Sequence, residues 1–303
     1  MTNLLGLGRL LLILVAAPLL AGCSALSAFD TLAPRDPGGR LAAKSVAYGD
    51  HPRQKLDVFV PVVTIPNAPI LVFFYGGSWK SGSKDDYGFV GQALAAQGFV
   101  TVVADYRLFP EARYADFHAD CAGAVRWARD NAAGFGGDGG RILLAGHSAG
   151  AYNAAMVALD PRYLRQAGVD PRIVRAFAGL SGPYDFLPLD LGTAQEVFGG
   201  EPDKAATQPV TYARPSSPPA FLAAGDQDTT VRPKNTISLA AKLRAAGVPV
   251  EERIYPGLDH ADTLLALSRL FRDKAPELAE MTAFLKLHAG DAVPPYRTVE
   301  PGR

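Results

Sequence analysis

Apolar residues along the chain gather in short runs rich in β-branched and aromatic side chains, separated by longer stretches in which they recur every three or four positions. The runs are Ile70 to Tyr75, Phe99 to Ala104, Ile142 to Ala145, Ile173 to Leu180, Ala220 to Ala224 and Val250 to Tyr255. They lack the polar alternation of a half-solvated strand, which predicts strands buried on both faces. In the stretch from about Asp116 to Ala132, Phe117, Cys121, Ala124, Val125 and Ala128 keep helical spacing until Gly134, Gly136 and Gly137 end it. Cys121 is therefore read as a core residue. The same reasoning predicts helices at Phe89 to Gln97, Ala149 to Leu159 and Asn235 to Ala246, and a pair across Thr263 to His288. Strand followed by helix, repeated, specifies an α/β architecture, a mainly parallel twisted sheet with helices on both faces. Lys44 to Tyr48 and Gln54 to Val60 flank Gly49-Asp50-His51-Pro52 and read as an antiparallel hairpin at one edge of the sheet. Leu187 to Arg214 has no clear period and many prolines and glycines, which suits a short cap insertion over the carboxyl edge.

The amino end reads as an address rather than as fold. One charge, Arg9, precedes the apolar run Leu10 to Leu20, too short to span a bilayer comfortably, followed by small residues. Leu20-Ala21-Gly22-Cys23 resembles the lipobox of bacterial lipoproteins, whose cysteine is lipidated and becomes the first residue after cleavage. The resemblance implies a signal peptide over 1–22 and a membrane anchor at Cys23. The domain would then face the periplasm from the cell envelope, with Ser24 in place of aspartate leaning toward the outer membrane. An ordinary secretory signal with a stray cysteine is the alternative. Residues 23–40, with Pro34, Pro37, Gly38 and Gly39, read as a flexible tether, 41–290 as the folded domain and 291–303 as a disordered tail.

Composition narrows the partners. In 303 residues, 30 Lys and Arg balance 30 Asp and Glu, so no basic field exists to collect phosphates and nucleic acid is excluded as an expected partner. Two cysteines, Cys23 and Cys121, are too few for a disulfide framework or a cysteine-built metal site, and neither a metal nor a cofactor is expected.

Chemistry is concentrated where a strand meets a helix. Gly146-His147-Ser148-Ala149-Gly150 follows one predicted strand directly and opens the next helix, the context of a nucleophile elbow, in which a tight bend lifts the serine hydroxyl clear of the sheet. A serine needs a base to take its proton and an acid to orient that base, in the chain order serine, acid, histidine. His51, His118 and His147 fail on order; His260 lies in a loop just past the last strand, whereas His288 lies deep in the terminal helix and reads as a surface residue. His147 reads as packing at the turn. After Ala220 to Ala224 the loop offers Asp226 and Asp228; Asp228 matches Gly-x-x-Asp-x-x-Val, and Asp226 suits a turn. The amide of Ala149 is one donor for an oxyanion, and Gly76-Gly77-Ser78-Trp79 is the partner loop, where glycines let backbone approach a substrate.

Together these motifs resemble the α/β-hydrolase fold, specifically carboxylesterases related to hormone-sensitive lipase and to bacterial feruloyl-esterase-like enzymes. The likeness runs from about Lys44 to His288. It rests on Tyr75-Gly76-Gly77-Ser78-Trp79 for the family's His-Gly-Gly-x-Trp, Asp105-Tyr106-Arg107-Leu108 with Pro110-Glu111, the elbow, Asp228 and His260. It implies Ser148 as nucleophile, His260 as base, Asp228 as acid, and Gly77, Ser78 and Ala149 as oxyanion donors, with Trp79 in the substrate pocket. Asp105 and Arg107 are expected to form a buried ion pair. Tyr75 departs from the family histidine that anchors the oxyanion loop; a phenol can substitute as a hydrogen-bonding group. The expected function is hydrolysis of short or aromatic carboxylic esters, free or polysaccharide-linked. An arylformamidase-type amide hydrolase and a non-catalytic binding lipoprotein on the same fold are the alternatives.

Overall fold

The structure, a computed structural model, describes residues 22–189 and 192–290. Residues 1–21 of the expected leader over 1–22, and the tail over 291–303, lie outside the described residues, and of Cys23 only the backbone is described. Eight strands, β1 (Gly39–Ala47), β2 (Lys55–Pro61), β3 (Ala68–Phe74), β4 (Val100–Ala104), β5 (Gly137–His147), β6 (Val174–Leu180), β7 (Ala220–Gly225) and β8 (Val250–Tyr255), form one sheet in the order β1-β2-β4-β3-β5-β6-β7-β8. β1 and β2 pair antiparallel, as does β2 with β4, and every other neighbour is parallel. The expected edge hairpin is thus present. Every residue of β4 and of β7 is buried, which requires both faces to be covered.

The covering helices are α1 (Gly22–Leu32), α2 (Gly88–Ala96), α3 (Tyr114–Asn131), α4 (Ala149–Leu159), α5 (Pro161–Gln166), α6 (Thr193–Phe198), α7 (Lys234–Ala245), α8 (Asp262–Leu265) and α9 (Glu277–Ala289). α3 and α4 pack on each other and on β3 and β5. Cys121, on α3, is fully buried, as its spacing predicts.

Four expectations change. Residues 23–40 are not a loose tether: α1 lays Phe29 against Phe89 and Phe271, with ring centroids 5.2 and 5.9 Å apart. Asp30 accepts from both Arg35 guanidinium nitrogens at 2.7 Å and from the Phe89 amide at 2.7 Å, so its carboxylate caps α2 from outside. The prolines and glycines over 34–39 mark the turn between α1 and β1. Secondly, β8 is half-buried, because it is the last strand and carries Glu251, Glu252 and Arg253 toward solvent. Thirdly, the helix pair after Thr263 is one short turn and one full helix. Lastly, His288 is half-buried, its ring 4.4 Å from that of Phe284.

The chain enters the sheet's parallel part at β3, adds β4 on one side, then crosses to add β5 on the other. The order therefore reverses between β3 and β5, and in such sheets ligands bind outside the carboxyl ends of the strands at that switch point. Ser148 directly follows β5, and the Gly76-Gly77 loop follows β3.

Candidate active site

Ser148 sits at φ 55°, ψ −125°, between the last residue of β5 and the first of α4. Such a bend demands close approach on both sides. A Cβ on Gly146 would lie 2.3 Å from the Gly150 carbonyl oxygen, and one on Gly150 would lie 2.0 Å from that of Phe74. Glycine at both positions is thus a steric requirement of the elbow.

From the loop after β8, His260 turns its Nε2 to 2.9 Å from Ser148 Oγ, while its Nδ1 donates to Asp228 Oδ2 at 2.8 Å. With the proton held on Nδ1, the Nε2 lone pair faces the hydroxyl. Burial pushes the Asp228 carboxyl up, but the hydrogen bond and charge of His260, with the amide of Val231, outweigh it and hold the group below the usual carboxylate range. Asp228 Oδ1 accepts from the amides of Thr230 and Val231 at 3.0 and 2.8 Å. Asp226 instead accepts from the Gly257 amide at 2.7 Å, tying together the loops after β7 and β8, the turn role expected of it.

The loop after β3 runs through Gly77, Ser78 and Trp79 at φ 129°, 56° and 58°. Among the described residues, the amides of Gly77, Ser78 and Ala149 take no backbone acceptor. Trp79 is 5% exposed and donates from its indole to Asn153 Oδ1 at 3.2 Å. Its ring stands edge-on to Tyr152 and Phe198, at 5.1 and 4.8 Å, so it forms a wall shared by the loop, α4 and the cap helix α6.

The expected Asp105–Arg107 pair is absent. Arg107 is drawn to Asp120 on α3, with Nε 2.9 Å from Oδ2 and Nη2 2.9 Å from Oδ1. Asp105 faces the other way, accepting from the Tyr75 hydroxyl at 2.7 Å. Past the end of β4 the two side chains part, Asp105 toward Tyr75 and the loop after β3, Arg107 toward α3. Tyr75 is stacked between Tyr87 and Tyr106, at 5.3 and 5.0 Å.

His147 does more than fill the turn. Its Nε2 donates to the His260 carbonyl at 2.8 Å, and burial, with the neighbouring His260, pushes its pKa down to about 3, which keeps the ring neutral. The Thr263 hydroxyl donates to the same carbonyl at 3.2 Å. Adjacency to the nucleophile hinted at this tie, but nothing local in the sequence gives its partner. Among the described residues no cluster of side chains suits a metal ion. A groove of about 1540 Å³ lies at the opposite, amino edge of the sheet, lined by Arg129, Asp138, Arg165, Asp170 and Arg172 among others; it contains neither Ser148 nor its partners.

A doubly wound sheet with a serine on a strand-to-helix bend, and an acid and a histidine on the loops after its last two strands, is an α/β-hydrolase. The chain belongs to the BD-FAE family, whose model matches residues 56–243. It is 33% identical to esterase LipC of Mycobacterium tuberculosis, over 73% of this chain and 60% of that protein. It is 31% identical to carboxylesterase NlhH of the same organism, over 75% and 77%. It is 30% identical to an isoprenylcysteine alpha-carbonyl methylesterase of Arabidopsis thaliana, over 73% and 57%. The chain spans between 51% and 65% of the plant methylesterases it matches. Among solved structures, a truncated carbohydrate esterase from gut microbiota superposes with a TM-score of 0.74 at 20% identity, covering 85% of this chain and 99% of that one. A thermostable esterase from Pseudomonas putida does so with 0.71 at 23%, covering 91% and 92%. At such identities these two speak for the fold alone.

Proposed function

We propose that the protein is a serine carboxylesterase in which Ser148, His260 and Asp228 form the triad. The observation that carries this reading is the relay of 2.9 Å from Ser148 Oγ to His260 Nε2 and 2.8 Å from His260 Nδ1 to Asp228. Ser148 Oγ attacks the ester carbonyl carbon as its proton passes to His260 Nε2, and the imidazolium is stabilised by Asp228. The amides of Gly77, Ser78 and Ala149 receive the developing oxyanion. Collapse expels the alcohol, which takes the proton from His260, and leaves an acyl group on Ser148. Water, deprotonated by the same imidazole, then releases the acid and restores the serine.

Short acyl groups and aromatic esters are the proposed substrates, because Trp79, Tyr152, Phe186 and Phe198 close the space beyond the elbow with flat apolar surfaces. The esterase names of the relatives favour ester over amide cleavage. Labelling with a fluorophosphonate tests the nucleophile: wild type is expected to label and Ser148→Ala to lose both label and turnover, by about 10⁶-fold in kcat. A wild type that never labels overturns the reading in favour of a binding protein. Nitrophenyl acetate, butyrate and octanoate, methyl ferulate, acetylated xylan and N-formylkynurenine then rank the substrate classes.

We also propose that Cys23 carries a lipid anchor, on the strength of Leu20-Ala21-Gly22-Cys23. Palmitate labelling in a bacterial host, lost in Cys23→Ser, is the expected result, and label retained by that variant excludes it.

A further inference from the structure

The loop that carries Gly77 and Ser78 leaves β3 at Tyr75 and is back on the body at Lys84. Both ends of this neck converge on two side chains of opposite charge. Asp105 Oδ1 accepts from the Tyr75 hydroxyl at 2.7 Å and from the Lys84 amide at 2.8 Å. Arg53, on the turn between β1 and β2, donates from Nη2 to the Tyr75 hydroxyl at 2.7 Å and to the Gly82 carbonyl at 2.8 Å. Its Nε donates to the Tyr106 carbonyl at 3.0 Å, and Nη2 lies 3.7 Å from Asp105 Oδ1. We propose that Arg53 is a positioning residue for the oxyanion amides, a clasp that joins the two ends of their loop through Tyr75 and Gly82. The proposal rests on the reading of Gly77 and Ser78 as oxyanion donors.

Three features carry it. A phenol has one proton to give; here the carboxylate takes it, so the guanidinium must approach the oxygen lone pair, and both bonds are charge-assisted. That fixes the Tyr75 ring in direction, beyond what stacking on Tyr87 and Tyr106 can do. Lys84 is not available to neutralise Asp105 in place of Arg53, since its ammonium is committed to Asp57 at 2.9 Å and Asp85 at 2.9 Å. Finally, Ser78 and Trp79 both hold positive φ, a conformation unfavourable for a non-glycine residue that persists only where the surroundings impose it. With the neck open, the loop can relax toward ordinary backbone, and its amides leave the position where the ester carbonyl oxygen develops charge. A lysine at position 53 keeps the charge but not the planar fork that reaches Tyr106, Tyr75 and Gly82 together.

The test is steady-state hydrolysis of nitrophenyl acetate by purified full-length protein. Arg53→Met is expected to lower kcat by about 10- to 100-fold, with KM changed by less than about 3-fold, because the amides act on the transition state more than on bound ester. Tyr75→Phe keeps the packed ring and should fall in the same range. The double variant should be no slower than the worse single one, since both break one clasp. Arg53→Lys should lie between wild type and Arg53→Met. The proposal is overturned if Arg53→Met keeps kcat within about 2-fold of wild type, or if the two single losses multiply in the double variant. Should Arg53→Met show no cooperative thermal unfolding, Tyr75→Phe and Arg53→Lys decide alone: kcat within about 2-fold of wild type in both rejects the clasp. Wild type without Ser148-dependent turnover defeats the parent reading, and the clasp with it. Wild-type turnover indifferent to position 53 defeats the clasp alone.

Discussion

Two segments rise from the carboxyl edge of the sheet to flank Ser148, and they are held in opposite ways. The loop over 75–84 is tied by charged, directional bonds from Arg53 and Asp105. The cap, in its described residues 186–189 and 192–214, rests on rings: Phe198 lies 5.5 Å from both Phe186 and Tyr152, and 4.8 Å from Trp79. Its turn at 206–207 is fastened by tyrosine hydroxyls, Tyr114 and Tyr212 donating to the Ala206 carbonyl and Tyr152 to that of Thr207. Beneath it, His118 packs among Tyr114, Tyr152 and Tyr163 with neither ring nitrogen bonded, and burial pushes its pKa down to about 3, so it serves as a neutral ring. Amides that must point at a developing charge need directional restraint. A pocket wall needs only volume, and apolar contact, which is non-directional, supplies that.

Substitutions in the two segments should therefore fail differently. The largest effect is expected of Gly77→Ala in the loop, where a Cβ would lie 2.1 Å from the Ser81 carbonyl oxygen at φ 129°. Displacing that backbone should cost about 10²- to 10³-fold in kcat on nitrophenyl acetate at nearly constant KM. A purely KM effect there would erase the contrast. In the cap, Phe198→Leu should move the preference toward longer acyl chains by about 10-fold, read as the octanoate to acetate ratio of kcat/KM, with acetate kcat nearly unchanged. Smaller still, Tyr114→Phe removes one fastening of the cap and should cost about 1 kcal/mol in urea unfolding, with little change in acetate turnover.

A site outside both segments sharpens the comparison by leaving turnover alone. Glu277, at the start of α9, is fully buried with both carboxylate oxygens unpartnered, and burial, with Glu280 adding, raises its pKa well above the ordinary value. A raised folded-state pKa means that the stabilising contribution is complete below about pH 4.3 and lost as pH climbs toward that folded-state value. Wild type should thus weaken relative to Glu277→Gln by up to about 1.4 kcal/mol per pH unit across that window. Paired urea melts at pH 5 and 8 check this, and a gap that narrows with pH contradicts it.

Much of the candidate site was legible because its signals are local. The elbow is five consecutive residues, Asp228 follows a strand that announces itself by its apolar run, and His260 lies in the loop after the last strand. The errors came where a side chain had a choice of distant partners. Asp105 and Arg107, an ion pair by expectation, each find their opposite charge elsewhere, in Arg53 and Asp120. Residues 23–40 show the same limit: turn-formers dominate their composition, while two apolar residues one helical turn apart, Leu26 and Phe29, pack α1 against the core.

By itself, the order of residues determined the strands, the helices between them and the bend at Ser148, since backbone sterics and hydrophobic period act over a few positions. Only the folded chain decided which groups meet. Ser148 reaches His260 across 112 residues and Arg53 reaches Tyr75 across 22, contacts created by sheet order and loop closure, which no short window of sequence contains.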